Sequence, residues 1–260
     1  MKNVAAERIA TTRRTRTPLA ALPEDIAPQD EAAGYRIQAD VHELLYPDFG
    51  PLVGHKIGCT SAVMQQYLGI PHPCSGAVFA GGVHHSGVAL RHGDFVRVGV
   101  ECEIAVRLGR DLALSEGPFT ADVVAQAIEA YLPAIEIVDD RYADWRSIGG
   151  PTLVADDFFA AGCVLGPPVA RSAAPDLLSV SGRAAINGVE VGRGTGADVL
   201  GHPHNALAWL ANRLAGEGNQ LRAGEIVLTG SLVQTIWLNA GDTVAMDLSA
   251  LGMVAVDFRV

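Results

Sequence analysis

The chain has 260 residues, 49% of them hydrophobic and 18% charged, so a large core is affordable and wholesale disorder is excluded. The net charge of -10 argues against nucleic acid as a partner, because binding phosphates needs a basic face. No apolar run approaches the ~20 residues of a membrane span. The first twenty residues carry arginines but no apolar stretch of a secretory signal; a mitochondrial presequence would look similar, and the reading preferred is a first helix. Cys59, Cys74, Cys102 and Cys163 form no CxxC pair; their scatter suggests reduced thiols in a cytoplasmic protein rather than a disulfide framework. "PHPC" and the His84–His85 pair are too sparse for a zinc site.

In chain order, residues 1 to about 46 read as helical, with Ala33, Ile37, Val41, Leu44 and Leu45 at helical spacing and Pro47 and Gly50 as the stop. Beyond Gly54 the pattern changes to short strands and glycine-rich turns. "HKIGCTS" opens this region, and "GAVFAGGVHHSGVAL" reads as two strands about a turn. "VGVECEIAVRLG" is a strand. "FTADVVAQAIEAYLPAIEIVDD" is a helix capped by Thr120, leading through a junction at Pro133 into a strand. Asn187-Gly188 marks a hairpin. "NALAWLANRLAGEG" is a helix with Leu207, Leu210, Ala211 and Leu214 on one face and Gly216 at its end. The tail is strands and turns. The sum is an α+β chain: a helical part over residues 1–50 and a β-rich body over 51–260.

One feature of the body concerns chemistry. Glu101 and Glu103 lie two apart in an apolar strand, so they share a face, with Cys102 on the other. Glu136 sits between Ile135 and Ile137 in a second apolar strand. Clustered carboxylates repel one another, and desolvation worsens this. Either water bathes them on a half-exposed sheet, or a hard divalent cation such as Mg²⁺ or Mn²⁺ binds them. Lys56, flanked by glycines and apolar residues, is a surface lysine on the first view and a counter-charge or proton carrier on the second.

Five stretches, "HKIGCTSAVMQ", "VECEIAVRLGRDL", "PAIEIVDDRY", "NGVEVGRGTGADVLGHPHNALAWLANRL" and "AGEIVLTGSL", occur in this order. Together they resemble the 2-hydroxypenta-2,4-dienoate (2-keto-4-pentenoate) hydratase and 4-oxalocrotonate decarboxylase group of the fumarylacetoacetate hydrolase superfamily. The resemblance runs from about residue 30 to the C-terminus. It implies a mixed β-sandwich roll with a small helical N-terminal part. It implies Glu101, Glu103 and Glu136 as ligands of Mg²⁺ or Mn²⁺, which chelates a substrate carboxylate and its adjacent 2-oxygen. It assigns Lys56 and Asp156 to catalysis and Cys74, Gly194, Gly196 and Thr229 to substrate contacts. It also implies a homo-oligomer and a hydratase acting on a small 2-hydroxy-2,4-dienoate in aromatic-compound catabolism. A 2-oxo acid decarboxylase, an acylpyruvate C–C hydrolase and a non-catalytic partner-binding homologue are the alternatives.

The chain departs from the group's pattern twice. "PCSG" puts Cys74 where the group carries an acid. "ADDFFAAG" keeps Asp156 but replaces an asparagine by Asp157 and puts Phe158, Phe159 and Ala160 in a polar stretch. Both changes favour a less polar substrate tail, unless Arg141, Arg146 or Arg193 supplies a partner for a second carboxylate.

Overall fold

A computed structural model describes residues 3–60, 65–66 and 69–260; residues 61–64 of the first motif lie outside these. The helical part is two helices, α1 (Val4–Thr15) and α2 (Glu31–Phe49), with residues 16–30 outside them. The break follows from Arg16, which closes α1 in a left-handed conformation at φ 55, and from Pro18, Pro23 and Pro28, which cannot donate to a helix. Pro47 does not stop α2. It sits inside the last turn, and the helix ends at Gly50, whose φ is 77.

The body is built on two sheets. The larger runs β2 (Cys74–Phe79), β1 (Leu52–Gly58), β11 (Ile226–Ser231), β5 (Val98–Leu108), β6 (Ile128–Asp139), β7 (Ala160–Leu165) and β3 (Val83–His85). Short strands β12 (Ile236–Trp237) and β8 (Val169–Ala170) extend it beside β5 and β6. β1 is parallel to β11 and β3 to β7; the other pairs in this sheet are antiparallel. The sheet curls until β2 touches β7, which makes it a roll. The second sheet runs β10 (Val189–Thr195), β9 (Ser181–Ile186), β13 (Thr243–Asp247), β14 (Met253–Arg259) and β4 (Val88–Arg91). Asn187 and Gly188, both at positive φ, make the tight turn between β9 and β10.

"GAVFAGGVHHSGVAL" is therefore not a hairpin. Its three strands, β2, β3 and β4, pair with β1, β7 and β14 respectively. Pro133 is not a junction either: β6 starts at Ile128, after the short helix α3 (Ala121–Ala125), and runs through it. The Pro133 carbonyl accepts from the Gly166 N–H at 2.8 Å, so its ring nitrogen faces the same side. There the neighbour changes from β7, which pairs from Ala134 onward, to β8, which pairs at Ala130 and Tyr131. The missing N–H falls where the ladder is already interrupted.

Strand alternation sorts the larger sheet into two faces. Val100, Cys102, Ile104, Val106, Ile135, Ile137 and Val227 pack against Val244, Met246, Val254, Val256 and Phe258 of the second sheet. Helix α5 (Pro203–Gly216) closes this core with Leu207, Leu210, Ala211 and Leu214. The opposite face lines the roll with Val78, Ala105, Leu132, Ala134, Cys163, Leu165, Ile226 and Leu228. The N-terminal helices build no separate core. Ile9, Ile37, Val41 and Leu45 share one with Cys74, Phe79, Phe158 and with Leu153 of helix α4 (Gly150–Ala155). Among the described residues, no helix is long and apolar enough to cross a membrane.

Candidate active site

The interior face of the roll brings together Glu101, Glu103, Glu136 and Lys56. In the β5–β6 ladder Glu101 stands opposite Glu136, and Glu103 opposite Ala134. Cross-strand partners share a face, so all three carboxylates converge, and one oxygen from each lies within 4.8 Å of the others. Among the described residues this is the one cluster of three or more His, Cys, Asp or Glu side chains placed to hold a metal ion.

Lys56 reaches the same place from β1. Its Nζ lies 3.1 Å from Glu136 Oε1 and donates to the Phe158 carbonyl at 2.7 Å. The lysine is 3% exposed, so it is no solvated surface residue. Burial alone would depress its pKa, but Glu136, then Cys74 and Glu101, hold it above the usual lysine range. The neighbouring carboxylates thus favour its charged form.

A bulge completes the arrangement. Between Leu228, paired with Ala105, and Ser231, paired with Glu103, β11 has one residue more than β5. The extra residue turns the chain at Gly230, φ 119, so that its N–H donates to Glu103 Oε2 at 2.9 Å. Thr229, wholly buried, donates its hydroxyl to the Ile104 carbonyl at 2.7 Å and so pins the bulge to β5. Thr235 donates its hydroxyl to Glu101 Oε1.

These donors leave the cluster undersatisfied. Glu103 Oε1 and Glu136 Oε2 are buried with no hydrogen-bond partner. Burial first, then Glu136, pushes Glu101 up to about 7, against Lys56 and Thr235, which lower it. Burial, Glu136 and Glu101 hold Glu103 well above the usual carboxylate range. Orphaned, hard oxygen donors converging on one point fit a divalent cation. Without one, the cost shows as pH dependence. A carboxylate whose pKa is raised on folding stabilises below its unfolded value, about 4.5, and that contribution is lost as pH climbs toward 7. The metal-free protein is expected to lose about 2 kcal/mol between roughly pH 5 and pH 7.5. Melting curves should show a fall of several degrees, which saturating Mg²⁺ removes. A flat metal-free profile would mean that the carboxylates are well solvated.

The other residues that the sequence singled out have partners of their own, and not all of them lie at this centre. Cys74 is buried beside the lysine. A Cβ on Gly58 would stand 3.3 Å from its Sγ and 3.4 Å from Lys56 Nζ. Asp156 is taken up by Arg141, at 3.0 Å, and by the Tyr142 hydroxyl, at 2.8 Å, and anchors them rather than joining the glutamates. Gly194 and Gly196 serve close backbone approach: a Cβ would meet the carbonyl oxygens of Leu232 at 1.8 Å and Leu177 at 1.9 Å. Gly196 also neighbours Ile104, on the core side of β5, away from the carboxylates. His202 and His204 shape the start of α5, His202 Nδ1 accepting from the His204 N–H at 3.0 Å.

Asp157 to Phe159 form the cover over Lys56. All three residues have positive φ (56, 50 and 68), a conformation that side chains resist. Asp157 holds the turn. It accepts from Arg13 of α1 at 2.8 Å, faces His42 of α2 at 2.7 Å and accepts from the Ala77 N–H at 3.0 Å. Burial would raise its pKa, but His42 and Arg13 hold it well below the usual range. Asp157→Ala strands these partners and is expected to cost about 3 kcal/mol in chemical denaturation. A loss under about 1 kcal/mol would show that the helices hold the turn without it. Arg13 and Arg141 line, with Lys56 and Glu136, a cavity of about 90 Å³.

The fumarylacetoacetate (FAA) hydrolase C-terminal family model matches residues 82–259. The chain belongs to the fumarylacetoacetate hydrolase family. Within the family, a 2-keto-4-pentenoate hydratase of Paraburkholderia phymatum is 36% identical over 253 residues, covering 97% of this chain and 95% of that one. A 2-hydroxyhexa-2,4-dienoate hydratase of Comamonas testosteroni is 32% identical, with 97% and 95% covered. Among solved structures, a 4-oxalocrotonate decarboxylase from Pseudomonas putida G7, complexed with magnesium and adipate, superposes with a TM-score of 0.91 at 25% identity. The match covers 98% of this chain and 95% of that one. The family likeness fits a divalent metal at the glutamate cluster, since that decarboxylase and another of the same name were solved with magnesium and with calcium.

Proposed function

We propose that the chain is a hydratase that adds water to a small 2-hydroxy-2,4-dienoate, through its 2-oxo-enoate form, to give a 4-hydroxy-2-oxo acid. The reaction serves catabolism of aromatic compounds. The observation that carries this reading is the buried lysine beside three convergent carboxylates, in a chain that matches named dienoate hydratases almost end to end.

Glu101, Glu103 and Glu136 would hold Mg²⁺ or Mn²⁺, which supplies Lewis-acid polarisation of the substrate's 2-oxygen and carboxylate. Three carboxylates over-neutralise a divalent cation, so Lys56 supplies the positive charge that a substrate carboxylate needs. Of its three N–H bonds, two have partners among the described residues, Glu136 and the Phe158 carbonyl. The third would donate to the substrate. Lys56, charged at the outset, would give a proton to the diene carbon and take up the one that leaves the 2-hydroxyl. Water then adds at carbon 4 of the conjugated product. Glu136, 3.1 Å from Nζ, keeps the lysine charged between these steps.

The wall beside Lys56 is apolar. The Phe158 ring centroid lies 5.6 Å from Nζ, and Cys74 is its neighbour. Arg141 spends its guanidinium on Asp156 and on the Phe159 and Ala160 carbonyls. Arg13 is held by Asp157, Arg193, exposed, by Glu190, and Arg146, exposed, lies over the Trp145 ring at 4.8 Å. That supports a substrate without a second carboxylate, against the dicarboxylate that a 4-oxalocrotonate-type decarboxylase takes. The deciding assay presents dienols, 2-oxo diacids and acylpyruvates with Mg²⁺ or Mn²⁺. Loss of dienol absorbance without CO₂ is expected. CO₂ release, or two carbon fragments, would select the decarboxylase or the C–C hydrolase. We further propose a homo-oligomer; a monomer in light scattering at micromolar concentration would refute it.

A further inference from the structure

Two cysteines have an arrangement that the proposed chemistry does not use. Gly58 pairs with Cys74 in the β1–β2 ladder, so Cys74 shares its face, the face of Lys56. Cys59 comes one residue later, and alternation would point it away. Instead Cys59 adopts a left-handed conformation, φ 56, and its Sγ meets Cys74 Sγ at 3.6 Å. A non-glycine residue is strained there and stays only where its surroundings hold it. Both strands end at this point, β1 at Gly58 and β2 at Cys74, so the sulfurs sit where the ladder can give.

We propose that Cys59 and Cys74 are a redox pair, a dithiol that a hydroperoxide converts reversibly to a disulfide beside Lys56, stopping turnover. The sulfurs must approach by roughly 1.5 Å to reach a bond of about 2.05 Å. Two S–H bonds break and one S–S bond forms. Two electrons and two protons pass to the peroxide, whose O–O bond breaks; hydrogen peroxide gives two waters. A dithiol reductant reverses the step. Oxidation starts at Cys59, which is 8% exposed, whereas Cys74 is fully enclosed. Cys74 Sγ, 3.6 Å from Cys59 Sγ, is placed to attack the sulfenic acid formed there and release water. Drawing its Sγ toward Cys59 pulls it off Lys56 and the Phe158 ring, which crowd the same point at Gly58.

The test uses the full Mg²⁺-loaded chain with a few equivalents of hydrogen peroxide, alkylation of remaining thiols and peptide mass mapping. The expected result is a Cys59–Cys74 cross-link that dithiothreitol reverses, with Cys102 and Cys163 still alkylated. Turnover of a dienol should fall with the cross-linked fraction, and Cys59→Ser should keep its turnover through the same treatment. Cys59 and Cys74 remaining alkylatable in treated wild type would overturn the pair, and this needs no variant to fold. A full cross-link with unchanged turnover would overturn the switch. The turnover arm rests on the hydratase reading. Untreated protein inactive on every dienol would sink that reading, while the peptide map would still decide the cross-link.

Discussion

Lys56→Met is expected to lower kcat on the best dienol by at least about 100-fold, within the range for lost acid–base groups, while Mg²⁺ affinity stays within a few fold. The expectation rests on what each charge does. Three glutamates already carry more charge than a divalent cation needs, so the lysine does not hold the metal. Its positive charge opposes the metal, and removing it should tighten binding slightly if it changes at all. The substrate is the opposite case. It brings a carboxylate into a cluster that is already net negative, and it must pass a proton between its hydroxyl and its diene. Lys56 is the cation that the structure places there, 3.1 Å from Glu136 and wholly enclosed. Methionine keeps most of the stem and so most of the packing against Phe158. Stopped-flow absorbance and calorimetry separate the two effects. Near-normal turnover in Lys56→Met would move the proton transfer to another group, a water in the site first, since Asp156 is tied to Arg141 and Tyr142.

What the sequence made legible follows the range of the forces involved. The parity of Glu101, Glu103 and Cys102 was readable because strand alternation is local, and the Asn187-Gly188 turn was readable for the same reason. The apolar setting of Glu136 raised its convergence with the other two, and the resemblance chose the metal reading over a solvated face; the contact itself depends on a ladder between residues 35 positions apart. Where pairing alone decides, the sequence misled: β2, β3 and β4 look like a hairpin and instead join three different neighbours. The break between α1 and α2 carried a usable signal in its three prolines, outweighed by the helical periodicity on either side. In the site, the groups missed were mostly backbone. The Gly230 N–H and the Phe158 carbonyl exist at every residue, and only a bulge and a left-handed turn aim them at Glu103 and Lys56. Thr235, Arg13 and His42 had no local pattern to mark them, because each reaches its acid from a distant element.

Glu103→Gln tests the metal centre from the inside, and it should act in opposite directions with and without metal. Glu103 uses Oε2 to accept the Gly230 N–H, while Oε1 faces the cluster without a partner. A carboxylate serves both directions at once, accepting from the amide and offering an oxygen to a cation. An amide cannot. With its oxygen toward the metal, its NH₂ confronts the Gly230 N–H, donor against donor. Turned round, it satisfies Gly230 and points the NH₂ at the cation. Either orientation loses one contact, so Mg²⁺ affinity is expected to fall at least about tenfold, the lower bound for disturbing even the supports of a metal ligand. In the metal-free protein the second orientation is favourable. The NH₂ then donates to Glu101 or Glu136, and one of three repelling charges is gone. Because burial and its two neighbours raise the Glu103 pKa on folding, the ionised side chain destabilises the metal-free fold near neutral pH. Glu103→Gln should therefore melt above wild type at about pH 7.5 without metal and below it with saturating Mg²⁺. Calorimetry showing wild-type affinity in the variant would remove Glu103 from the ligand set. A variant that melts lower in both states would instead mark Glu103 as a structural partner of the Gly230 bulge.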